Sequence, residues 1–154
     1  MSAYDDAVKL LARRAYSRRA IVERLAAKGY AQDDVEDALG RLSSSGAIDD
    51  REYARRFVTE RGKARGRKRL LAELEAAGIE PGVASRALAE AAAEGERDDE
   101  GALLSAVRRK LGAPPGRADR GRLARVYNAL LSEGFEPGRI ASALVPYGFR
   151  GDDA

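Results

Sequence analysis

A six-residue pattern that decides the fold occurs three times, at residues 25–30 (LAAKGY), 74–79 (LEAAGI) and 130–135 (LLSEGF). Each copy ends in a glycine and a hydrophobic residue, with a leucine four positions before the glycine. Eight positions before the three glycines stand Ile21, Leu70 and Val126. A spacing of four and eight places apolar side chains on one helix face, and a glycine after the last turn is a common left-handed C-cap. Each copy therefore predicts a helix that ends at a glycine corner.

Further helices are predicted on both sides of each corner. Residues suited to a helix start follow the corners at 32–34 (QDD), 80–82 (EPG) and 136–138 (EPG). Nine and ten positions after the glycines come Ala38-Leu39, Ala87-Leu88 and Ala143-Leu144. Other helical runs precede the corner helices at residues 4–14, 52–65 and 100–111. The sequence therefore predicts an all-α fold of three tandem three-helix repeats, over residues 1–48, 49–97 and 98–154.

A repeat of about 50 residues buries little apolar surface alone, so we expect neighbouring repeats to pack edge to edge. This favours an elongated array, straight or curved, over the alternative of a compact helical bundle whose turns share capping chemistry. The corner glycines are 49 and 56 residues apart, so the second interval is longer than the first. Residues 112–116 (GAPPG), which are rich in helix breakers, can hold the additional residues. They are a hinge candidate.

The composition excludes several classes of protein. The 154 residues contain no cysteine and no histidine, which removes disulfides, thiolate metal sites and the commonest general base. No Gly-x4-Gly-Lys-Ser/Thr phosphate loop occurs, and no apolar run reaches the roughly 18 residues of a membrane span. We therefore expect a cytoplasmic protein that is not an enzyme and uses no cofactor or metal.

Charge is arranged in bands. Residues 51–70 carry nine Lys or Arg against two Asp or Glu, residues 71–100 carry two against nine, and residues 101–125 carry seven against one. The first basic band consists of Arg51, Arg55, Arg56, Arg61, Lys63, Arg65, Arg67, Lys68 and Arg69. Such a band can bind DNA phosphates or an acidic protein surface, or it can be a solvated face that the acidic block balances. We favour the binding role.

Helical spacing suggests which members of the first basic band point outward. Tyr53, Ala54, Phe57 and Val58 form an apolar stripe at intervals of three and four. Three basic residues lie off this stripe and should face solvent: Arg55, Arg56 and Lys63. Arg61 lands on the stripe, so either its side chain snorkels or the helix already ends near Gly62.

The second basic band flanks the hinge candidate and consists of Arg108, Arg109, Lys110, Arg117, Arg120, Arg122 and Arg125. It could bind nucleic acid or be a plain linker, and the sequence does not decide between them. The aromatic residues Tyr53, Phe57, Tyr127 and Phe135 are interpreted as packing residues, because base stacking needs exposure that their spacing argues against.

Paired carboxylates raise the question of a two-metal nuclease. They stand at Asp5-Asp6, Asp33-Asp34, Asp49-Asp50, Asp98-Asp99 and Asp152-Asp153. Adjacent residues on a helix point about 100° apart, and most of the pairs stand near a predicted helix start. Capping and compensation of the helix dipole are therefore the preferred interpretation.

A family resemblance covers nearly the whole chain. Residues 46–58 (GAIDDREYARRFV), Arg61, Gly66 and residues 69–79 (RLLAELEAAGI) resemble the RecX family of bacterial regulatory proteins. Residues 17–30 and 130–135 resemble the first and third repeats of that family. The chain departs from the family where Ala20 replaces an acidic residue that would complete a capping box with Ser17, so a weaker cap is expected.

The resemblance implies a monomeric modulator of homologous recombination, DNA repair and the SOS response. Proteins of this family lodge in the groove of the RecA filament on DNA, inhibit its ATP hydrolysis and strand exchange, and limit filament growth. The implied partners are RecA and the RecA-DNA filament, together with single- or double-stranded DNA. Two alternatives stay open, a free-standing DNA-binding helical module and a helical scaffold for another acidic partner.

Overall fold

The computed structural model describes residues 1–151, and within that range the chain forms helices and connecting segments without a strand. The predicted all-α fold is confirmed. Its helices are α1 (Ala3–Arg13), α2 (Arg18–Ala27), α3 (Gln32–Ser44), α4 (Asp50–Arg61), α5 (Arg67–Ala76), α6 (Pro81–Ala93), α7 (Asp99–Leu111), α8 (Arg120–Ser132) and α9 (Pro137–Leu144). Short 3-10 turns follow α4 at Gly62–Ala64 and α9 at Val145–Tyr147. No helix of residues 1–151 combines the length and hydrophobicity that a bilayer crossing needs.

The helices occur in the three predicted triplets, with one difference in length. The run predicted over residues 52–65 ends as an α-helix at Arg61, so the second of the two alternatives for Arg61 is the right one. The carboxylate pairs of residues 1–151 stand at helix starts: Asp5-Asp6, Asp33-Asp34, Asp49-Asp50 and Asp98-Asp99. Asp49 accepts hydrogen bonds from the backbone nitrogens of Arg51 and Glu52, as a capping carboxylate does. The Asp152-Asp153 pair lies outside the described residues.

The three predicted corners share one hydrogen-bonding geometry. Gly29, Gly78 and Gly134 have φ of 93°, 101° and 94°, which is the left-handed region. After each glycine the next backbone N–H donates to the carbonyl of the leucine four positions before that glycine, as from Ile79 to Leu74 at 2.9 Å. This is a Schellman motif, in which a side chain other than hydrogen at the glycine would be strained.

A second set of glycines, which the sequence analysis did not identify, ends the third helical segment of each triplet. Gly46, Gly95 and Gly148 have φ of 78°, 75° and 95°. The same bond pattern closes them, for example from the nitrogen of Ala47 to the carbonyl of Leu42 at 2.9 Å. In each triplet, the second and the third helical segments therefore both end in a left-handed glycine with the same hydrogen bond.

The chain divides into two compact units. Unit 1 comprises Met1–Phe57 and Glu73–Ala87, and unit 2 comprises Val58–Ala72 and the described chain from Leu88 onward. Each unit has a core of aliphatic side chains, which includes Ile21, Leu25 and Leu39 in unit 1 and Leu103, Leu130 and Leu144 in unit 2. The middle triplet contributes residues to both units. The repeat boundaries after residues 48 and 97 therefore stay a prediction.

One type of contact recurs inside the two units, between the start of a corner helix and the next glycine corner along the chain. In unit 1 the Ser17 hydroxyl caps α2 by accepting from the nitrogen of Ala20 at 3.1 Å, as predicted. The same hydroxyl donates to the carbonyl of Ala77 at 2.5 Å. In unit 2 Gly66, directly before α5, donates its backbone N–H to the carbonyl of Glu133 at 2.7 Å. Ser17 and Gly66 hold corresponding positions, because each stands twelve residues before a corner glycine.

The contact in unit 2 is a close backbone approach. A Cβ built on Gly66 would lie 2.5 Å from the nitrogen of Phe135, and closer still to the carbonyl of Gly134. A Cβ on Gly134 would lie 2.9 Å from the Cα of Arg69. Only glycine at both positions lets the two backbones meet, so the start of α5 is fixed against the last corner.

The hinge candidate at residues 112–116 is tied to the chain's last described turn. The Tyr147 hydroxyl donates to the carbonyl of Gly112 at 2.6 Å. The backbone N–H of Gly116 donates to the carbonyl of Pro146 at 3.4 Å. These two hydrogen bonds hold the connection between α7 and α8 against the turn at Val145–Tyr147, within unit 2.

Candidate functional site

The structure divides the first basic band between the two units. Arg51, Arg55 and Arg56 lie on α4 in unit 1, and the other six residues lie in unit 2. Arg56 and Lys63 are exposed, as expected. Arg55 is half-buried with its Nε shielded from solvent, so the expectation that it faces outward is wrong.

The connection between α4 and α5, which carries Lys63 and Arg65 of the band, is held by Arg97. This side chain is only 4% exposed. Its guanidinium donates to the carbonyls of Gly62 and of Arg65, the latter at 2.8 Å, and to the Asp99 carboxylate at 2.7 Å. Arg97 therefore binds carbonyls at the 3-10 turn that follows α4, where the Gly62 carbonyl also accepts from the backbone nitrogen of Arg65 at 3.4 Å.

Sequence reasoning missed Arg97, although a signal was present. Residues 46–48 (GAI) and 95–97 (GER) are the corresponding ends of the first two triplets. Ile48 is a buried apolar residue, and an arginine stands at the matching position of the second triplet. A charged residue at a repeat position that is otherwise in the core indicates a buried polar network.

Only part of the first basic band is available to a partner without breaking an existing interaction. The Lys63, Arg67 and Lys68 side chains make no hydrogen bond or ion pair with any described residue. The remaining members have intramolecular interactions: Arg51, Arg55, Arg56, Arg61, Arg65 and Arg69. The three unpaired cations all belong to unit 2.

The second basic band also contains residues with intramolecular partners and residues without them. Lys110 forms an ion pair with Glu133 at 2.9 Å, and Arg122 donates to the carbonyl of Lys110 at 2.9 Å. Arg120 also has an intramolecular interaction. Within residues 1–151, four members have no side-chain partner: Arg108, Arg109, Arg117 and Arg125.

The two basic bands meet at one cleft of unit 2. This cleft has a volume of about 410 Å³ and lies along the end of α4, the Arg97 network and α7. Lys63 from the first band and Arg109 from the second both line it. The hydroxyls of Thr59 and Ser105 also line it, and the carboxylates of Glu96 and Asp98 limit its positive charge. The Thr59 hydroxyl donates to Glu96 at 3.3 Å, which leaves the two unpaired cations and the Ser105 hydroxyl to hold a phosphate or a carboxylate of a partner.

The aromatic residues have packing roles, as interpreted from the sequence. Tyr53 and Phe57 stack on each other with ring centroids 6.5 Å apart, and Tyr127 stacks on Phe149 at 5.5 Å. Phe135 is 6% exposed in the core of unit 2. Their ring faces are engaged within the protein, which argues against base stacking.

Known proteins resemble this chain in sequence. Residues 3–42 match the family model described as RecX, first three-helix domain. The regulatory protein RecX of Chromohalobacter salexigens is 38% identical over 141 residues, which span 91% of this chain and 89% of that protein. The regulatory protein RecX of Thermus thermophilus is 44% identical over 88 residues, which span 57% of this chain and 61% of that protein.

A solved structure agrees with the fold. The crystal structure of RecX from Lactobacillus salivarius superposes with a TM-score of 0.72 at 17% sequence identity. The superposition covers 93% of this chain and 92% of that one. At this identity the likeness concerns the helical architecture.

Proposed function

The chain belongs to the RecX family of regulatory proteins, and on that premise we propose that it binds the RecA filament on DNA and restrains it. The proposed effect is inhibition of the filament's ATP hydrolysis, strand exchange and growth in recombination and repair. The chain would act in the bacterial cytoplasm as a monomer, by occupying a surface of the filament and without catalysing a reaction.

The observation that carries this proposal is the cleft lined by Lys63 and Arg109. Lys63 and Arg109 are 46 positions apart in the chain, and the fold brings these two unpaired cations into one cleft. A filament of protein on DNA presents phosphates and carboxylates in a regular array, and Arg and Lys bind both. Because these two cations have no partner among residues 1–151, binding breaks no ion pair there.

RecA ATPase activity on single-stranded DNA tests the proposal. Adding increasing amounts of the purified chain should lower the rate of ATP hydrolysis, and the effect should weaken as salt is raised, since charge contacts are screened. An unchanged ATPase rate at equimolar chain and RecA would contradict the proposed function.

A free-standing DNA-binding module is the second candidate. Seven members of the two basic bands have no side-chain partner within residues 1–151 and favour it, because such cations bind nucleic acid without any other protein: Lys63, Arg67, Lys68, Arg108, Arg109, Arg117 and Arg125. Fluorescence anisotropy with a labelled oligonucleotide in the absence of RecA separates the two candidates. Tight binding, with a logarithmic salt slope of about −0.7 per phosphate contact on single strands, supports the DNA-binding module when RecA's ATPase is unaffected.

A further inference from the structure

A second cavity of unit 2, distinct from the Lys63–Arg109 cleft, combines an apolar floor with a charged rim. It has a volume of about 290 Å³ and lies between the start of α5, α7 and the last glycine corner. The apolar lining comes from Leu71, Leu103, Phe135 and Pro137. We refer to it as the α5–α7 pocket.

The charges around the α5–α7 pocket do not balance. Of its two lining carboxylates, Asp99 is bonded to Arg97 at 2.7 Å and Glu136 pairs with Arg139 at 3.5 Å. Arg67 and Lys68 also line the pocket, and neither side chain has a partner among the described residues. The rim therefore presents two unneutralised cations beside an apolar floor.

The walls of the pocket are fixed by the close backbone contact described above. The backbone N–H of Gly66 donates to Glu133, and that of Lys68 donates to the carbonyl of Gly134 at 3.3 Å. The pocket is thus formed before a ligand arrives, which lowers the entropic cost of binding. Its volume lies just below the roughly 300 to 1,000 Å³ that is typical of small-molecule sites, and suits one or two large side chains.

The chemistry of the pocket favours a peptide over nucleic acid. Phe135 is the aromatic residue of the pocket lining and is only 6% exposed, so it does not offer a ring face on which a base could stack. An apolar floor contributes nothing to a phosphate backbone, whereas it can bury an apolar side chain. Carboxylates on either side of that side chain would meet Arg67 and Lys68.

We propose that the α5–α7 pocket binds an acidic protein segment by burying one large apolar side chain, with flanking carboxylates on Arg67 and Lys68. The inference rests on the proposed function in one respect, because it assigns this segment to the protein component of the filament. A RecA surface that binds the α5–α7 pocket must then present a Leu, Ile or Phe side chain among Asp and Glu residues.

Fluorescence anisotropy with a labelled short peptide tests the inference on the full chain. The probe carries one Phe between runs of Glu, and the comparison peptide carries Ala in place of Phe. The Phe peptide should bind at least about tenfold more tightly, since burying a Phe side chain exceeds the free energy of one decade in Kd. Equal affinity for the two peptides would overturn the proposal.

The charge requirement is tested with the double variant Arg67→Glu, Lys68→Glu. It should lose binding of the Phe peptide, whereas the matched control Lys9→Glu, Arg86→Glu should keep it. The control also exchanges one Lys and one Arg for Glu, at exposed positions outside both basic bands. Circular dichroism should show the same helicity for all three proteins. Retained peptide binding in the pocket variant, or loss of oligonucleotide binding alone, would contradict the peptide site.

The RecA ATPase assay separates this inference from the proposed function. If the chain inhibits RecA but does not discriminate the Phe and Ala peptides, the pocket proposal fails and the proposed function stands. If the Phe peptide binds but RecA is not inhibited, the pocket proposal stands for another acidic partner and the proposed function fails.

Discussion

Arg97 stands where the first triplet has Ile48, so a guanidinium replaces an aliphatic core side chain. Its bonds to the carbonyls of Gly62 and Arg65 set the path of the connection that carries Lys63. A buried arginine is stable only if its donors are satisfied, and here two carbonyls and the Asp99 carboxylate do so. One residue thereby links the stability of unit 2 to the position of its cations.

Replacing Arg97 with Met should lower the free energy of unfolding by about 3 kcal/mol, because hydrogen bonds to a charged group are lost and the carbonyls of Gly62 and Arg65 each lose one hydrogen bond. Urea denaturation followed by circular dichroism measures the change. Arg86→Met is the matched control, since Arg86 is exposed on α6, and it should change the free energy by less than about 0.5 kcal/mol. Equal stability of the two variants would show that the Arg97 network contributes little.

Asp6 and Tyr30 give a prediction on pH dependence in unit 1. The Tyr30 hydroxyl donates to the Asp6 carboxylate, which lowers the pKa of Asp6 from its ordinary value of 3.8, and Lys28 lowers it further. A lowered carboxyl pKa gives stability that is present above the unfolded value and is lost as pH falls through the folded value. Tyr30→Phe should therefore raise the pKa of Asp6 in an NMR titration of the carboxyl carbon. An unchanged pKa would mean that this hydrogen bond is not formed in solution.

For single residues, local chemistry was predictable, whereas burial was predictable only in part. Ser17 was correctly identified as a cap, because capping depends on neighbours three residues away. The prediction for Arg55 failed, because helical periodicity defines a face of α4 but not what packs beside it. Asp49 was correctly placed at a helix start for the same local reason as Ser17, and Asp98 stands at the start of α7 without a side-chain capping bond.

The glycine corners have two structural roles, which are to end a helix and to pack against another helix. All three ends need a left-handed residue, but only Gly78 and Gly134 also meet the start of another corner helix. Around Gly29 a Cβ would find nothing within 4 Å. Gly29, which only ends a helix, can therefore be compared with Gly134, which also packs against the start of α5.

Gly29→Ala should cost about 1 to 2 kcal/mol of unfolding free energy, the strain of a left-handed alanine. Gly134→Ala should cost at least about 2 kcal/mol more, because its Cβ would also overlap the backbone of Arg69. The two glycines have φ of 93° and 94°, so the backbone strain is matched. Thermal or urea unfolding of both variants measures the difference, and equal losses would exclude a tight contact at the Gly134 corner.

The elements themselves were largely predictable, because a Schellman glycine and an amphipathic stripe are local signals. The contacts of Ser17 with Ala77 and of Gly66 with Glu133 were not, since they join residues 60 and 67 positions apart. The meeting of Lys63 and Arg109 in one cleft was missed for the same reason. Sequence spacing fixes which residues share a helix face, but not which faces meet.

For the whole molecule, we propose that three helix triplets, with boundaries after residues 48 and 97, provide two charged surfaces on a helical framework. Membership of the RecX family supports a regulatory role, and we propose that the unpaired cations of unit 2 make the contacts on which it depends. The 28 Lys and Arg residues of the chain include cations that interact within the protein and cations without a side-chain partner among residues 1–151. The second group is the one that a filament of protein and DNA would contact.

The ATPase rate of RecA on single-stranded DNA, measured with three proteins at equal concentration, tests this account most directly. The wild-type chain should inhibit, and Lys63→Glu, Arg109→Glu should inhibit at least about tenfold less well, since two attractive contacts become repulsive in the cleft. Lys9→Glu, Arg86→Glu, with the same change in net charge, should inhibit like the wild type. Equal inhibition by all three proteins would contradict the claim that the Lys63–Arg109 cleft binds the filament.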